Sequence, residues 1–270
     1  MAEQQIRFDD GDAYEWSMGV WSRLAGEVFL DWLAPSPALR WADIVCGSGA
    51  FTELLVQRCA PKEVHGIDPS EGQLSFARTR PAARVAKFQQ GEAMALPFPD
   101  ASFDAAVMAL VLFFVPDPAK GVAEMARVVR PGGLVAAYLW DFAAGGFPFH
   151  PIQVEMRAMG VTPLLPPSVQ ASRMDVLYDL WAGAGFTEIE SRAISVTRIF
   201  ESFEEFWTIS TNGTGMRPII EAMAPADRNL LKSRVSIRLP ADAAGRISYQ
   251  GTANAIKGCV PIETVTRQHP

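Results

Sequence analysis

The segment Asp43-Ile-Val-Cys-Gly47-Ser-Gly49-Ala-Phe-Thr52 holds the residues best placed to do chemistry. It lies where an apolar stretch gives way to a helical pattern, so it forms a strand-to-helix turn. Glycines in such a turn let the backbone approach a ligand closely and leave free N–H groups pointing into the crevice. Asp68, in Val64-His-Gly-Ile-Asp-Pro-Ser70, follows at the spacing of about 20 residues that suits a carboxylate accepting hydrogen bonds from both hydroxyls of a ribose. A glycine pair alone equally describes a tight turn. The pair together with Asp68 points to a nucleoside ligand. A dinucleotide site needs a third glycine where Thr52 stands, which counts against an NAD(P)-dependent oxidoreductase.

Positioning these residues requires alternating strands and helices, and the hydrophobic pattern supplies them. Strands are expected at 40–45, 63–67, 86–89, 103–109 and 134–140, with helices at 51–58, 71–78 and 118–129 between them. Alternation of this kind predicts an α/β fold, a Rossmann-like, mostly parallel sheet with helices on both faces and its ligand at the strand C-terminal ends. Before the core, Met18, Trp21, Leu24, Ala25, Val28, Phe29 and Leu33 recur at helical spacing, a capping helix that Pro35 and Pro37 end. Beyond Trp140 the pattern loosens around Gly145-Gly-Phe-Pro148 and Pro163–Pro167. It resumes as a helix at 173–184 and a strand at 186–196. An irregular helical stretch at 203–239 reads as an inserted lid, and a late strand at 246–256 is expected to join the sheet as an antiparallel edge. The expected organisation is one domain over 1–270: a cap at 1–39, a binding core at 40–140, the rest of the sheet at 141–200 and 246–258, and the lid at 201–240.

The 270 residues, 49% hydrophobic and 20% charged, suffice for a buried core. A net charge of -6 offers no compositional basis for neutralising phosphates, so nucleic acid is not an expected partner. Cys46, Cys59 and Cys259 are odd in number and far apart, which suits a reducing cytoplasm better than a disulfide framework. The acidic start MAEQQIRFDDGDAYEW lacks the pattern of an export signal. The apolar run AAVMALVLFFVP is well short of the roughly 20 residues that span a bilayer, so it reads as a buried strand and its exit loop. No membrane partner is expected.

Two further segments, Gly91-Glu-Ala-Met-Ala-Leu-Pro-Phe-Pro-Asp-Ala-Ser-Phe-Asp104 and Arg127-Val-Val-Arg-Pro-Gly-Gly133, join the glycine loop and Asp68. With them the sequence resembles the class I S-adenosylmethionine (SAM)-dependent methyltransferases, and within them the bacterial small-molecule enzymes similar to the ubiquinone/menaquinone C-methyltransferases. The resemblance is concentrated between Trp41 and Trp140. It implies SAM as cofactor, with Gly47 and Gly49 facing the methionine part, Asp68 holding the ribose, and Glu92 with Ala93 against the adenine, where the family more often has Asp. Ala109, Leu110 and Val111 would floor the site, and Asp43, Cys46, Ser48, Pro69, Gln73 and Gly91 complete the implied cofactor contacts. Val45 stands where the family's loop carries its first glycine. Either its backbone stays in the strand region and its side chain narrows the pocket, or a positive φ is forced on a β-branched residue.

Near the N-terminus, Tyr14, Trp16 and Trp21 could attract a sulfonium through cation-π contact, with Tyr14 preferred; packing is the alternative for such an aromatic stripe. Metal ligation is not expected, because His65, His150 and His269 are scattered. A sulfonium is already an activated donor, so alignment and exclusion of water carry most of the reaction. If the acceptor must lose a proton, His150, after the fifth strand, is the candidate catalytic base. The expected activity is methyl transfer to a small-molecule acceptor. A non-catalytic SAM-binding protein is the other alternative to the oxidoreductase.

Overall fold

The computed structural model describes residues 15–213 and 215–262. Its strands are β1 (Arg40–Ile44), β2 (Glu63–Asp68), β3 (Ala86–Gln90), β4 (Phe103–Ala109), β5 (Val129–Trp140), β6 (Thr187–Phe200) and β7 (Ile247–Cys259). They form one sheet in the order β3-β2-β1-β4-β5-β7-β6. The first five are parallel, whereas β7 runs antiparallel to both β5 and β6. Strand β4 is a near-continuous apolar run because helices cover the sheet on both faces, and Ala105, Ala106, Val107 and Met108 are fully buried.

The helices are α1 (Val20–Leu33), α2 (Ala50–Cys59), α3 (Glu71–Ala77), α4 (Pro118–Val128), α5 (His150–Ala158), α6 (Met174–Gly183), α7 (Phe203–Thr211), α8 (Arg217–Ala222) and α9 (Pro225–Arg238). The expected capping helix starts later than its periodicity suggested, because Glu15–Gly19 forms a π-helical turn ahead of α1. It ends where expected. Ala34 adopts a left-handed φ of 43°, its N–H bonds the Leu30 carbonyl, and Pro35 follows. Trp21 of α1 meets Trp140 of β5 edge to face at 6.3 Å, and Phe29 meets Tyr138 at 4.5 Å. Trp21 has no exposed surface, so packing rather than a ligand explains that aromatic residue.

Two expectations need correction. The late strand β7 is not the sheet edge; it lies between β5 and β6, and β6 is the edge. Burial explains the order: Ala253, Ala255 and Ile256 of β7 are fully buried, while most of β6 is exposed. The stretch after Trp140 is also less irregular than its glycines and prolines suggested, since α5 begins at His150. Its Pro151 sits in the first turn, where a missing N–H costs no hydrogen bond. Helices α7 to α9 occupy the connection between β6 and β7; no described helix is long and apolar enough to cross a membrane.

Candidate functional site

The C-terminal end of β1 leads directly into the glycine loop. Val45, Gly47 and Gly49 have φ of 59°, 54° and 76°, alternating left-handed residues that turn the chain so that Gly49 caps α2. Glycine takes these angles freely, whereas a β-branched valine does so only under strain. The loop is held from several sides: the Cys46 N–H donates to the Ile67 carbonyl at 2.9 Å, Gly49 N–H to the Cys46 carbonyl at 3.0 Å, and Gly47 N–H to Asp68 Oδ2 at 2.8 Å. Space is tight below it. A Cβ added at Gly49 would come within 3.0 Å of the Ala77 Cβ and 3.3 Å of Phe88.

Two buried carboxylates flank this loop. Asp43, at the end of β1, accepts from the Thr52 hydroxyl at 2.5 Å. Its Oδ1 is buried with no hydrogen-bond partner. Burial pushes its carboxyl up to about 7, Thr52 pulling it down and the neighbouring Asp68 adding to the rise. Asp68, at the end of β2, is 4% exposed and accepts from Gly47 N–H and from Ser70 N–H at 2.9 Å. Burial raises its carboxyl, these two donors lower it, and the nearby Glu92 raises it again. Asp68 at the end of β2 and Glu92 just after β3 are therefore close enough to interact electrostatically.

The other implied cofactor residues distribute around the same edge. The side-chain amide oxygen of Gln73, a buried residue, approaches Gly47, and a Cβ there would lie 3.8 Å away. Ser48 is buried, with its carbonyl bound by Arg80 at 2.6 Å. The Cys46 thiol is buried beside Asp43 and Asp68, and that burial holds it protonated. Pro69 is exposed, and its carbonyl accepts from Gln90 at 2.8 Å. Gly91 N–H donates to the Asp68 carbonyl at 3.2 Å, Glu92 is exposed and Ala93 is buried. At the end of β4, Ala109 is half-buried and Leu110 takes a left-handed φ of 61° with its N–H on the Tyr138 carbonyl. Tyr14 lies outside the described residues.

Sequence reasoning missed the neighbouring aromatic wall. Phe113 follows β4, and Phe142, Phe147 and Phe149 lie in the loop between β5 and α5. Phe142 stacks on Phe147 at 4.5 Å, Phe113 meets Phe142 edge to face at 5.4 Å, and Phe147 meets Phe149 at 5.3 Å. The close spacing of Phe142, Phe147 and Phe149 was the available signal, masked by the glycines between them. Gly213, in the α7–α8 connection, comes close enough that an added Cβ would lie 3.4 Å from the Ser17 hydroxyl and 3.6 Å from Phe149. The N-terminal turn, the insertion and the β5 exit loop thus meet beside the aromatic wall.

His150 is the first residue of α5 rather than a loop residue. It packs against Gly145, where an added Cβ would fall 2.8 Å from Nε2. Burial lowers its imidazole below the ordinary histidine value, with Arg157 and Arg238 adding to the effect, so it is neutral at pH 7. His65 lies within β2 and packs edge-on to Phe98 and Phe103. The Thr52 side chain that replaces a third glycine is fully buried.

The sheet order and the glycine loop are those of the class I SAM-dependent methyltransferase fold. Residues 42–137 match the family model described as a methyltransferase domain. It is 38% identical over 122 residues to a 2-phytyl-1,4-naphtoquinone methyltransferase of Synechococcus elongatus, covering 43% of this chain and 51% of that protein. It is 39% identical over 106 residues to a demethylmenaquinone methyltransferase of Desulfitobacterium hafniense, covering 37% and 42% respectively. The chain thus spans about half the length of these curated relatives. Among solved structures, Haemonchus contortus phosphoethanolamine N-methyltransferase 2 in complex with S-adenosyl-L-methionine shares the fold with a TM-score of 0.57 and 19% identity. The match covers 94% of this chain and 58% of that one.

Proposed function

We propose that this protein transfers the methyl group of SAM to a small, flat, apolar acceptor held against the Phe113–Phe142–Phe147 wall. The observation that carries the cofactor reading is the buried, unpartnered Oδ1 of Asp43 beside a loop of left-handed glycines. The residues fit the group. Asp43 offers an acceptor to the ammonium of the methionine part, and Gly47 and Gly49 carry the loop past it without side chains. Asp68 retains lone pairs for the ribose hydroxyls, and Glu92 with Ala93 borders the adenine side. Pro69, Gln73 and Gly91 complete the rim, with Cys46 and Ser48 contributing backbone; Ala109 and Leu110 form the floor.

Bound SAM supplies an activated methyl carbon on a sulfonium, whose sulfur leaves as a neutral thioether when the acceptor's electron pair takes the methyl. This chain's residues then have three tasks. The aromatic wall aligns a planar acceptor by stacking and excludes water. The 13–33 and 201–239 segments act as cap and lid over a single unit spanning 1–270, an arrangement supported by the meeting of Ser17, Gly213 and Phe149. His150, neutral at pH 7, can take a proton if the acceptor must release one. The three free thiols suit a cytoplasmic setting, and no part of this reading requires nucleic acid or a membrane.

The acceptor class is supported by the aromatic lining and by the naphthoquinone named for the Synechococcus relative. Calorimetric titration with S-adenosylhomocysteine and with NADH tests the cofactor, and only the former is expected to bind. Incubating the protein with methyl-labelled SAM and a 2-substituted 1,4-naphthoquinol, followed by mass spectrometry, tests the acceptor. Label in the naphthoquinol is the expected result; S-adenosylhomocysteine binding without labelled product would reject this acceptor and leave the cofactor site standing.

A further inference from the structure

We infer that Arg80, which lies outside the glycine loop and its flanking motifs, is a positioning residue that fixes the loop in its cofactor-binding shape. The inference rests on the SAM reading above. Arg80 follows α3, and its Nε donates to the Ser48 carbonyl at 2.6 Å. One terminal nitrogen pairs with Glu53 of α2 at 2.8 Å, and the other reaches the Ser48 hydroxyl at 3.4 Å. The guanidinium lies over the Phe76 ring, 5.3 Å from its centroid, and the side chain is only 13% exposed. One planar group therefore joins the loop, α2 and α3.

The carbonyl it binds matters. The Ser48 carbonyl and the Gly49 N–H belong to one peptide plane; the carbonyl is held by Arg80 and the N–H by the Cys46 carbonyl. That plane is bordered by the Ser48 ψ and the Gly49 φ, and the left-handed glycine on its C-terminal side opposes its rotation weakly. Turning it over would swing a carbonyl toward the crevice and point the Gly49 N–H away from its partner. Arg80 blocks this movement by holding the Ser48 carbonyl in place. Its fork geometry is required, because a lysine can hold Glu53 or Ser48 with a single ammonium but cannot supply fixed donors to both.

Calorimetry with S-adenosylhomocysteine on Arg80→Met, Arg80→Lys and Glu53→Gln tests the inference, with thermal melts as the folding control. The two Arg80 variants are expected to bind roughly ten- to a hundredfold more weakly, the scale of losing a charge-assisted hydrogen bond. Glu53→Gln, which breaks the ion pair but keeps the Ser48 contact, is expected to stay within about twofold on the same scale. In turnover, the KM for SAM should rise while the KM for the acceptor stays constant. Wild-type binding retained in Arg80→Lys would show that charge alone suffices and overturn the inference, as would equal losses in Glu53→Gln and the Arg80 variants. Failure of the wild-type protein to bind would instead overturn the SAM reading itself.

Discussion

The Thr52 hydroxyl donates to Oδ2 of Asp43 at 2.5 Å, while Oδ1 of the same carboxyl is buried without a partner. One satisfied oxygen and one bare oxygen favour the neutral acid up to about 7, because an ionised carboxylate cut off from water needs more donors than Thr52 provides. Between the ordinary value of 3.8 and about 7, the folded protein holds a proton that the unfolded chain has released. The stability this group contributes is thus fully present below 3.8 and is lost as pH rises through about 7. Each unit of the shift corresponds to about 1.4 kcal/mol. Asp43→Asn is expected to gain thermal stability relative to the wild type as pH rises from 5 to about 7 and to hold that gain unchanged above it. Melts across that range check it, and a difference that does not change with pH would mean the carboxylate is ionised throughout.

Asp68 has two duties, since Oδ2 and Oδ1 already hold Gly47 N–H and Ser70 N–H. Asp68→Ala is expected to weaken SAM binding by about 1–3 kcal/mol and also to lower the melting temperature, because two N–H groups lose their acceptor. Calorimetry paired with circular dichroism melts separates the effects. Unchanged affinity in a folded variant would remove Asp68 from the ribose site.

Val45 resolves into the strained alternative, with a φ of 59°. A β-branched residue there stores about 1–3 kcal/mol, and glycine's greater freedom in the unfolded chain offsets about 0.5–1 kcal/mol of the relief. Val45→Gly is therefore expected to raise the melting temperature and, by removing an isopropyl group beside the crevice, to tighten SAM binding. A lower melting temperature with weaker binding would identify Val45 as a packing contact whose loss outweighs the strain.

If segments 13–33 and 201–239 close over the ligand, amide hydrogen exchange in both should slow when S-adenosylhomocysteine is added. The Ser17–Gly213–Phe149 junction is where the change should be largest. Identical exchange with and without ligand would make these segments fixed packing elements.

The parallel half of the sheet was legible in the sequence because short strand segments alternate with helical patterns across clear turns, and the apolar strand β4 coincides with its expected limits of Phe103 and Ala109. Helix α5 was hidden because Gly145, Gly146 and Pro148 precede it and Pro151 lies inside it, residues that mark loops in isolation but are compatible with a helix start. The places of β6 and β7 depend on which strand buries both faces, a property of tertiary packing. At the candidate site, the glycine loop and Asp68 announce themselves by local spacing. Arg80 does not, since its contacts with Ser48 and Glu53 join parts of the chain far apart in sequence.

The position of β7 also sets an order of assembly. Among the described residues, edge strand β6 pairs with β7 alone, and the chain must traverse α7, α8 and α9 before β7 exists to receive it. During synthesis, β1 to β5 can therefore pair while β6 still has no partner, and β5 keeps an open flank until the final strand inserts between them. Long-range insertion of this kind is slow, since a long loop must close before any of its contacts form. The outer pair β6–β7 should accordingly be the last part of the sheet to consolidate during refolding. The interval before it does so leaves two unpaired strand flanks open to other chains.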